Sequence, residues 1–264
     1  MDEIIEKSVE RVIRAMHENL GEQITIDDMA RTAMFSKFHF SRIFQRVTGI
    51  SPGRFLSALR LQEAKRLLLT TSMTVADISH LVGYNSIGTF SSRFRGSVGV
   101  SPTEYRQQRG YVTPLAAVPD APPVAGPSSV HGQVWQPRAS EPGPVVVGLF
   151  PDRIAHGTPV RHATRMGPGP FMLADVPDGT WYLLAHSAEL GDAVPDPDQT
   201  YVAAFGPLEV GPRTAGRRPH NVDLWLRPRR IFDPPALLAQ LDQPMWTAQA
   251  WASGRADQAA LPGA

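Results

Sequence analysis

The sequence predicts a chain of two different parts, an all-α region of seven helices followed by an all-β sandwich of seven or eight strands. Three observations predict this. One pattern of residues occurs twice, fifty positions apart, within residues 25–110. A proline-rich stretch follows at 112–127. Residues 130–232 then break into short runs of alternating or β-branched residues separated by turn-forming Pro, Gly and Asp, which is typical of strands.

The repeated pattern predicts a helix in each copy. The first copy reads SKFHFSRIFQRVTGISPGRF and begins at Ser36, and the second reads SIGTFSSRFRGSVGVSPTEY and begins at Ser86. Phenylalanines four positions apart lie on one helix face and predict a buried stripe. Both serines stand where an N-cap hydroxyl would accept a hydrogen bond from a free backbone N–H. Gly49 and Gly99 are expected to end the helices, because glycine readily adopts the left-handed conformation found there.

A short amphipathic segment precedes each copy, at 25–33 and 74–83. A short helix, a tight turn and a second helix with a basic face are the layout of a helix-turn-helix, so two such units in tandem are predicted. The second turn is expected to be one residue longer. Residues 4–18 are predicted to form a helix that braces the first unit, and residues 53–69 to form a rod of roughly 25 Å that connects the two units.

The repeat resembles the DNA-binding region of AraC/XylS-type bacterial transcription regulators over roughly residues 5–110. The residues that carry the resemblance are Ala64, Leu67, Leu68, Ile78, Gly83, Tyr84, Phe90, Ser91, Phe94, Gly99, Ser101, Pro102, Tyr105 and Arg106. The resemblance implies a double-stranded DNA operator as partner, RNA polymerase as a further partner, and a role as activator. An α-helical repeat that uses the phenylalanines only as core would not explain two serine-capped basic faces.

Charge is distributed in agreement with this interpretation. The chain has a net charge of only +1, but residues 36–111 carry eleven basic and three acidic side chains. Such a surplus of eight positive charges favours a surface that faces phosphate groups. The 264 residues include no cysteine, which excludes a thiol nucleophile and a cysteine metal site. No cofactor or metal is expected.

In regulators of this family, the residues that reach bases lie on the exposed face near the start of each recognition helix. Carried over residue by residue, the resemblance implies base contacts from Phe38, Ser41 and Arg42 in the first unit. Arg42 is the strongest candidate, because a guanidinium group can bond O6 and N7 of guanine together. Two roles stay open for Phe38, contact with a thymine methyl group or a place in the helix core.

The second unit is expected to contact bases through Ile87, Gly88, Thr89, Ser91 and Ser92. Ile87 and Gly88 depart from the long polar side chains usual at these positions, so readout by side-chain hydrogen bonds is in doubt there. Contacts with phosphate groups position a protein on DNA without specifying the sequence. The residues expected to make such contacts are Lys37, His39, Arg54, Lys65, Arg66, Arg95 and Arg106.

The division expected from composition is a DNA-binding domain at 1–111, a linker at 112–127, a β-sandwich at 128–235 and a partly helical tail at 236–264. Residues 171–185 resemble the strand–turn–strand pattern of prealbumin-like and carboxypeptidase-regulatory-like sandwiches. The expected core residues are Val134, Val146, Leu149, Val160, Phe171, Leu173, Trp181, Leu183, Val202, Val222, Leu224 and Leu226.

The role of the predicted sandwich stays open between sensing a small-molecule effector and docking a protein partner. Trp135, Trp181, Tyr182 and Trp225 are candidates for an effector pocket, although core aromatic residues have the same pattern. A DNA-repair protein or a DNA-targeted enzyme is the alternative function, and the lack of cysteine and of a catalytic constellation disfavours it. No apolar run is long enough to span a membrane, so a cytoplasmic, nucleoid-associated protein is expected.

Overall fold

The computed structural model describes residues 3–110, 129–137, 143–188, 200–211 and 220–239. These residues form two compact units. The helical unit consists of residues 3–110 together with 153–158 and 230–239, and the β unit consists of the other described residues. The units therefore differ from the expected division, because two short segments that were assigned to the sandwich and tail pack with the helices. The expected linker, 112–127, lies outside the described residues.

The described part of the helical unit contains the seven helices that the sequence predicts. They are α1 (Glu3–Glu18), α2 (Ile26–Ala33), α3 (Lys37–Thr48), α4 (Pro52–Thr70), α5 (Val75–Leu81), α6 (Ile87–Val98) and α7 (Pro102–Gln107). The first helix buries Val9, Val12, Ile13 and Met16, whose spacing places them on one face.

Local sequence signals set most of the helix ends. Thr25, Thr74 and Ser101 each form a capping box with the acidic residue three positions later, which stabilises the starts of α2, α5 and α7. Gly49 and Gly99 end α3 and α6 in the left-handed conformation, as predicted. The prediction for Ser36 is wrong in one respect. Ser36 occupies the N-cap position of α3, but its side chain makes no capping hydrogen bond.

The core of the helical unit repeats as the sequence does. Phe40, Phe44 and Phe55 pack edge to face, with ring centroids 5.5 Å apart in both pairs. Their counterparts Phe90, Phe94 and Tyr105 form the same chain of rings, with both centroid distances at 5.7 Å. All six side chains are buried. Each helix-turn-helix unit is therefore built around an equivalent aromatic cluster.

The connecting helix α4 is buried over most of its circumference. An apolar side made of Leu61, Ala64 and Leu68 was expected to pack on the two helix-turn-helix units. The structure buries these three residues and also Phe55, Leu56, Ala58, Leu59, Lys65 and Leu67. Residues of α4 therefore face other parts of the helical unit in addition to the two helix-turn-helix units.

The β unit contains two sheets among its described residues. The strands are β1 (Val130–Trp135), β2 (Pro144–Phe150), β3 (Arg161–Met166), β4 (Gly169–Leu173), β5 (Gly179–Ala188), β6 (Thr200–Val210), β7 (His220–Asn221), β8 (Leu224–Trp225) and β9 (Arg227–Pro228). One sheet has the order β4-β1-β7, with β8 also paired to β1, and the other has the order β3-β2-β5-β6-β9. The expected strands at 201–206 and 208–210 are one strand, β6, and the expected strand at 221–227 is divided into β7, β8 and β9.

Both sheets contribute to one hydrophobic cluster, which includes Val134 and Phe171 of the first sheet and Leu149 and Leu183 of the second. Two of the expected core residues, Val146 and Val202, are buried but lie outside this cluster. Val145 and Val147 point into this cluster, so Val146 lies on the opposite face of β2, where it is also buried. In the same way Ala203 of β6 takes the place expected for Val202. Val160 and Trp181 are only partly buried.

The tail was expected to contain a short helix near residues 236–241. The described residues 230–239 contain no α-helix. Leu237 and Ala239 join the hydrophobic core of the helical unit. The remainder of the expected tail lies outside the described residues.

Candidate nucleic-acid interface

Each helix-turn-helix unit places the start of its second helix at the surface. In the first unit, Met34 ends α2 in the left-handed conformation, with φ at 61°. The N–H of Phe35 then donates a hydrogen bond to the carbonyl of Ala30. In the second unit Gly83 has a φ of 83°, and Tyr84 N–H bonds the carbonyl of Ser79. The N-cap residues Thr25 and Ser36 are eleven positions apart and Thr74 and Ser86 twelve, so the second turn is one residue longer, as predicted.

The exposed face of α3 carries the side chains predicted to contact bases in the first unit. Phe38 is 84% exposed, which excludes its alternative place in the helix core. Arg42 is also exposed, one turn further along the helix. Ser41 is half-buried, and its hydroxyl donates to the carbonyl of Lys37 at 2.9 Å. Of the three side chains predicted to contact bases in this unit, Phe38 and Arg42 are therefore the exposed ones.

The exposed face of α6 carries shorter side chains than that of α3, as the sequence predicts. Ile87 is 44% exposed, and Gly88, Thr89 and Ser92 are exposed as well, while Ser91 is half-buried. A Cβ added to Gly88 would meet only the hydroxyl of Ser86, at 3.7 Å. The start of this helix is thus an open surface that another molecule can approach closely.

Five of the predicted phosphate-contacting residues lie at the surface of the helical unit: Lys37, His39, Arg54, Arg66 and Arg95. Lys37 forms an ion pair with Asp27 at 3.1 Å, and the His39 ring packs edge to face against Phe35. Arg66 pairs with Glu63 at 2.6 Å, and the hydrogen bonds that its guanidinium donates to this carboxylate raise the pKa of Arg66. Arg106 is half-buried, and its Nε donates to the carbonyl of Leu68 at 3.1 Å.

The prediction that Lys65 contacts phosphate is wrong. Lys65 is only 3% exposed, and its Nζ donates to the carbonyls of Leu237 at 3.2 Å and Ala236 at 3.4 Å. A buried ammonium group needs such partners, because an unpaired charge away from water is costly. Lys65 therefore contributes to the interior of the helical unit, and a DNA phosphate group cannot reach it in this structure.

Sequence reasoning missed the residues that join the two helix-turn-helix units. Arg60 of α4 donates to the carbonyl of Leu20 at 2.9 Å and to that of Glu22 at 2.6 Å. Partial burial lowers the pKa of its guanidinium. Gln23 donates to the carbonyl of Gly83 in the turn of the second unit at 3.3 Å. The loop between α1 and α2 thus links α4 to the second unit, and no local pattern signals contacts across forty to sixty positions.

The four aromatic residues expected to line an effector pocket do not come together. Trp135 and Trp225 stack, with ring centroids 5.4 Å apart, and are 41% and 69% exposed. Trp135 Nε1 donates to the carboxylate of Asp223 at 3.4 Å, which fixes the ring. Trp181 and Tyr182 lie on β5 in the other sheet, and Trp181 donates to the carbonyl of Pro177. The Trp135–Trp225 pair is a flat exposed surface and not a pocket.

None of the described helices combines the length and the apolar character that crossing a membrane requires.

The geometry defines a tandem helix-turn-helix region, and comparison with known proteins specifies its type. The sequence pattern of the helix-turn-helix domain matches residues 29–108. The chain is 30% identical over 104 residues to the lactose operon transcription activator of Staphylococcus xylosus, which is 39% of this chain and 37% of that protein. It is 33% identical over 88 residues to the HTH-type transcriptional activator AarP of Providencia stuartii, which is 33% of this chain and 65% of AarP.

Two solved structures are also similar to part of the chain. A transcriptional regulator of Chromobacterium violaceum with an AraC-type DNA-binding domain is 30% identical and matches 39% of this chain and 93% of its own, with a TM-score of 0.38. The DNA-binding domain of AdpA, solved with a target DNA, is 31% identical and matches 38% of this chain and 89% of its own, with a TM-score of 0.37. Residues 29–108 therefore form a helix-turn-helix domain that is similar to those of transcription activators.

Proposed function

We propose that this chain is a sequence-specific, DNA-binding transcription regulator in which α3 and α6 enter adjacent major grooves of one duplex. The AraC-type region supports the DNA-binding role. The relatives that are named transcription activators support the regulatory role and favour activation over repression. Double-stranded DNA is then the main partner, RNA polymerase is a second one, and the bacterial cytoplasm with its nucleoid is the location.

The observation that carries this proposal is the matched exposure of the two recognition helices. Each has a fully buried aromatic stripe on one side and an open surface on the other. Residues 36–111, which include both recognition helices, carry a surplus of eight positive charges. Binding to the phosphate backbone depends on such charge, and reading of bases depends on side chains that project from an exposed helix.

We assign the base contacts of the first unit to Phe38, Ser41 and Arg42, with Arg42 bonding a guanine and Phe38 packing on a thymine methyl group. In the second unit Ile87, Gly88, Thr89, Ser91 and Ser92 form the contact surface. Its lack of long side chains favours recognition by close approach and methyl contact. We assign the phosphate contacts to Lys37, His39, Arg54, Arg66, Arg95 and Arg106. Lys65 is no longer assigned a phosphate contact.

For the β unit we propose a sandwich of the two sheets with a regulatory or docking role. The single hydrophobic cluster shared by both sheets supports the sandwich. The exposed Trp135–Trp225 pair supports a binding surface, because an apolar stacked pair that faces water favours contact with a planar or apolar group. No catalytic role is proposed for this unit.

The proposed function predicts that the purified chain selects one site from a random duplex library at a stated salt concentration. The selected site should contain two conserved tracts about one helical turn, ~34 Å, apart. Arg42→Ala should weaken binding to that site by about 1–3 kcal/mol and relax the preference at one base position. The control is Arg14→Ala, which removes an equal charge from an exposed residue of α1. Selection of no common sequence by the wild-type protein would contradict the proposal.

A further inference from the structure

Two segments that are distant in sequence complete the helical unit. The first, which we name the tie segment, is Arg153–Thr158, and it lies in the chain between β2 and β3. The second, which we name the strap, is Arg230–Ala239 and follows β9. Ile154 of the tie segment and Leu237 and Ala239 of the strap belong to the same buried core as the aromatic clusters of the two helix-turn-helix units.

The tie segment reaches the C-terminal end of α3. A Cβ built on Gly49, the residue that ends α3, would lie 2.5 Å from Cδ and 3.0 Å from Nη1 of Arg153. The Arg153 side chain therefore fills the space over this helix end. The carbonyl end of a helix carries a partial negative charge, which attracts a guanidinium. Arg153 thus binds to the end of the first recognition helix both by contact and by charge.

The other end of the tie segment reaches the C-terminal end of α6. Gly157 N–H donates to the carbonyl of Ser97 at 2.7 Å. Ser97 lies in the last turn of α6, where carbonyl groups lack a partner within the helix. Gly157 can make this approach because it has a φ of 66°, and a Cβ there would lie 3.2 Å from the carbonyl of Gly96. Six residues therefore link the ends of both recognition helices.

The strap holds the tie segment against α4. The N–H groups of Leu237 and Leu238 both donate to the carbonyl of Ala155, at 2.8 Å and 3.2 Å. The carbonyls of Ala236 and Leu237 accept from Lys65 of α4. The middle of the tie segment is thus fixed to the helix that connects the two helix-turn-helix units.

We propose that the tie segment, held by the strap, sets the separation and relative rotation of the two recognition helices, and thereby the spacing of the two DNA tracts that the protein accepts. Arg153, Gly157 and Leu237 are the positioning residues. Along the chain, α3 is connected to α6 only through α4 and α5. A single connecting helix such as α4 permits the two helix-turn-helix units to rotate at its ends. A second link between the helix ends removes that freedom. This inference rests on the proposed function, because spacing has meaning only if both helices bind DNA.

The test uses the full chain and the site selected by the wild-type protein, with duplexes in which the spacing between the two tracts is changed by one base pair in either direction. For the wild-type protein, a changed spacing should weaken binding by about tenfold or more, similar to the effect of a wrong base pair. Arg153→Ala and Leu237→Ala should reduce this penalty to about threefold or less, while binding at the original spacing changes much less. Arg14→Ala is the charge-matched control and should keep the wild-type spacing profile.

The outcomes separate the two ideas. If Arg153→Ala keeps the wild-type penalty for changed spacing, or if the wild-type protein accepts all three spacings equally, this inference is overturned and the proposed function stands. If the wild-type protein selects no common site, both are overturned. Should Leu237→Ala fail to fold, which far-UV circular dichroism would detect, Arg153→Ala decides the question, because Arg153 is an exposed side chain.

Discussion

Lys65 and Arg95 have the same charge and the same expected role, but the structure gives them different surroundings. Lys65 lies on α4 with its ammonium group among backbone carbonyls, whereas Arg95 lies at the surface of α6. A contact with phosphate releases a counterion from DNA and makes binding depend on salt, and a buried lysine cannot do this. At the scale of single residues, burial therefore decides which positive charges act on DNA.

Arg95→Ala is expected to weaken binding to all sequences alike and to reduce the slope of log affinity against log salt by about one unit. Lys65→Ala is expected to leave that slope unchanged and to lower the free energy of unfolding by about 1.5–3 kcal/mol, because the carbonyls of Ala236 and Leu237 lose a charged donor. Salt titrations of operator binding and denaturant unfolding measure the two effects. A reduced salt slope in Lys65→Ala would contradict the burial of this residue.

Lowering the pH is expected to weaken the capping box at the start of α2. The hydrogen bonds that Thr25 donates to the Asp28 carboxylate, at 2.6 Å from its hydroxyl and 3.0 Å from its N–H, hold the pKa of Asp28 below its usual value. A carboxyl group whose pKa is lowered by folding stabilises the fold at pH values above its unfolded pKa, and this contribution is lost as the pH falls through the folded pKa.

Thr25→Val removes the hydroxyl donor, and the pKa of Asp28 should rise toward the ordinary value of about 4. An NMR titration of the side-chain carboxyl groups measures this shift. Glu104 provides the internal control, because hydrogen bonds from Ser101 lower its pKa independently. If Asp28 titrates at the same pH in the variant and in the wild-type protein, the hydroxyl of Thr25 is not the main cause.

At the scale of secondary-structure elements, the loop between α1 and α2 packs closely against α4 and against the turn of the second helix-turn-helix unit. Gly83 lies in the turn of the second unit with a φ of 83°. A Cβ at this position would lie 2.6 Å from the carbonyl oxygen of Leu20 and 2.6 Å from Nη2 of Arg60. The close approach of the loop, the connecting helix and the turn therefore requires a residue without a side chain.

Gly83→Ala is expected to lower the free energy of unfolding by about 1–3 kcal/mol, because it combines an unfavourable φ with a steric overlap against backbone. The matched control is Gly96→Ala in α6, where an added Cβ meets nothing within 4 Å. That change should stabilise the helix by about 0.5–1 kcal/mol, since alanine favours a helix interior more than glycine does. Denaturant unfolding of both variants measures the difference, and an equal effect of the two would rule out the steric explanation.

At the scale of the whole molecule, the helical unit needs parts of the chain that follow residue 111. A fragment of residues 1–111 would retain every proposed base contact but lack the tie segment and the strap. It should be less stable than the same unit in the full chain by about 3 kcal/mol or more, because the buried side chains of Ile154 and Leu237 no longer cover α4. Faster amide hydrogen exchange in α4 of the fragment measures this loss.

In that experiment α2 serves as the reference element, since it packs mainly on α1 and α3. Its amide exchange should change less than that of α4. Equal protection of α4 in the fragment and in the full chain would mean that the tie segment and the strap contribute nothing to the stability of the helical unit.

The sequence by itself determined the features whose causes lie within a few neighbouring residues. The phenylalanine spacing and the left-handed Gly49 and Gly99 act over one or two helical turns, and the structure confirms the helices that they predict. The β-branched run at 144–150 also predicted the strand β2, but it did not show which face of the strand points to the hydrophobic cluster. That choice depends on the pairing partners of the strand, and both faces of β2 are buried.

Only the tertiary structure decided the features that join residues far apart in the chain. Lys65 and Leu237 are 172 positions apart, and nothing local distinguishes Lys65 from a lysine that faces solvent. The same holds for Gly157 and Ser97, and for the stacking of Trp135 on Trp225, which depends on the register of β1 against β8. The physical reason is that such contacts depend on how distant elements pack, and no spacing within a few residues encodes that packing. Local propensity therefore predicts which helices form, and long-range burial decides how the recognition helices are held.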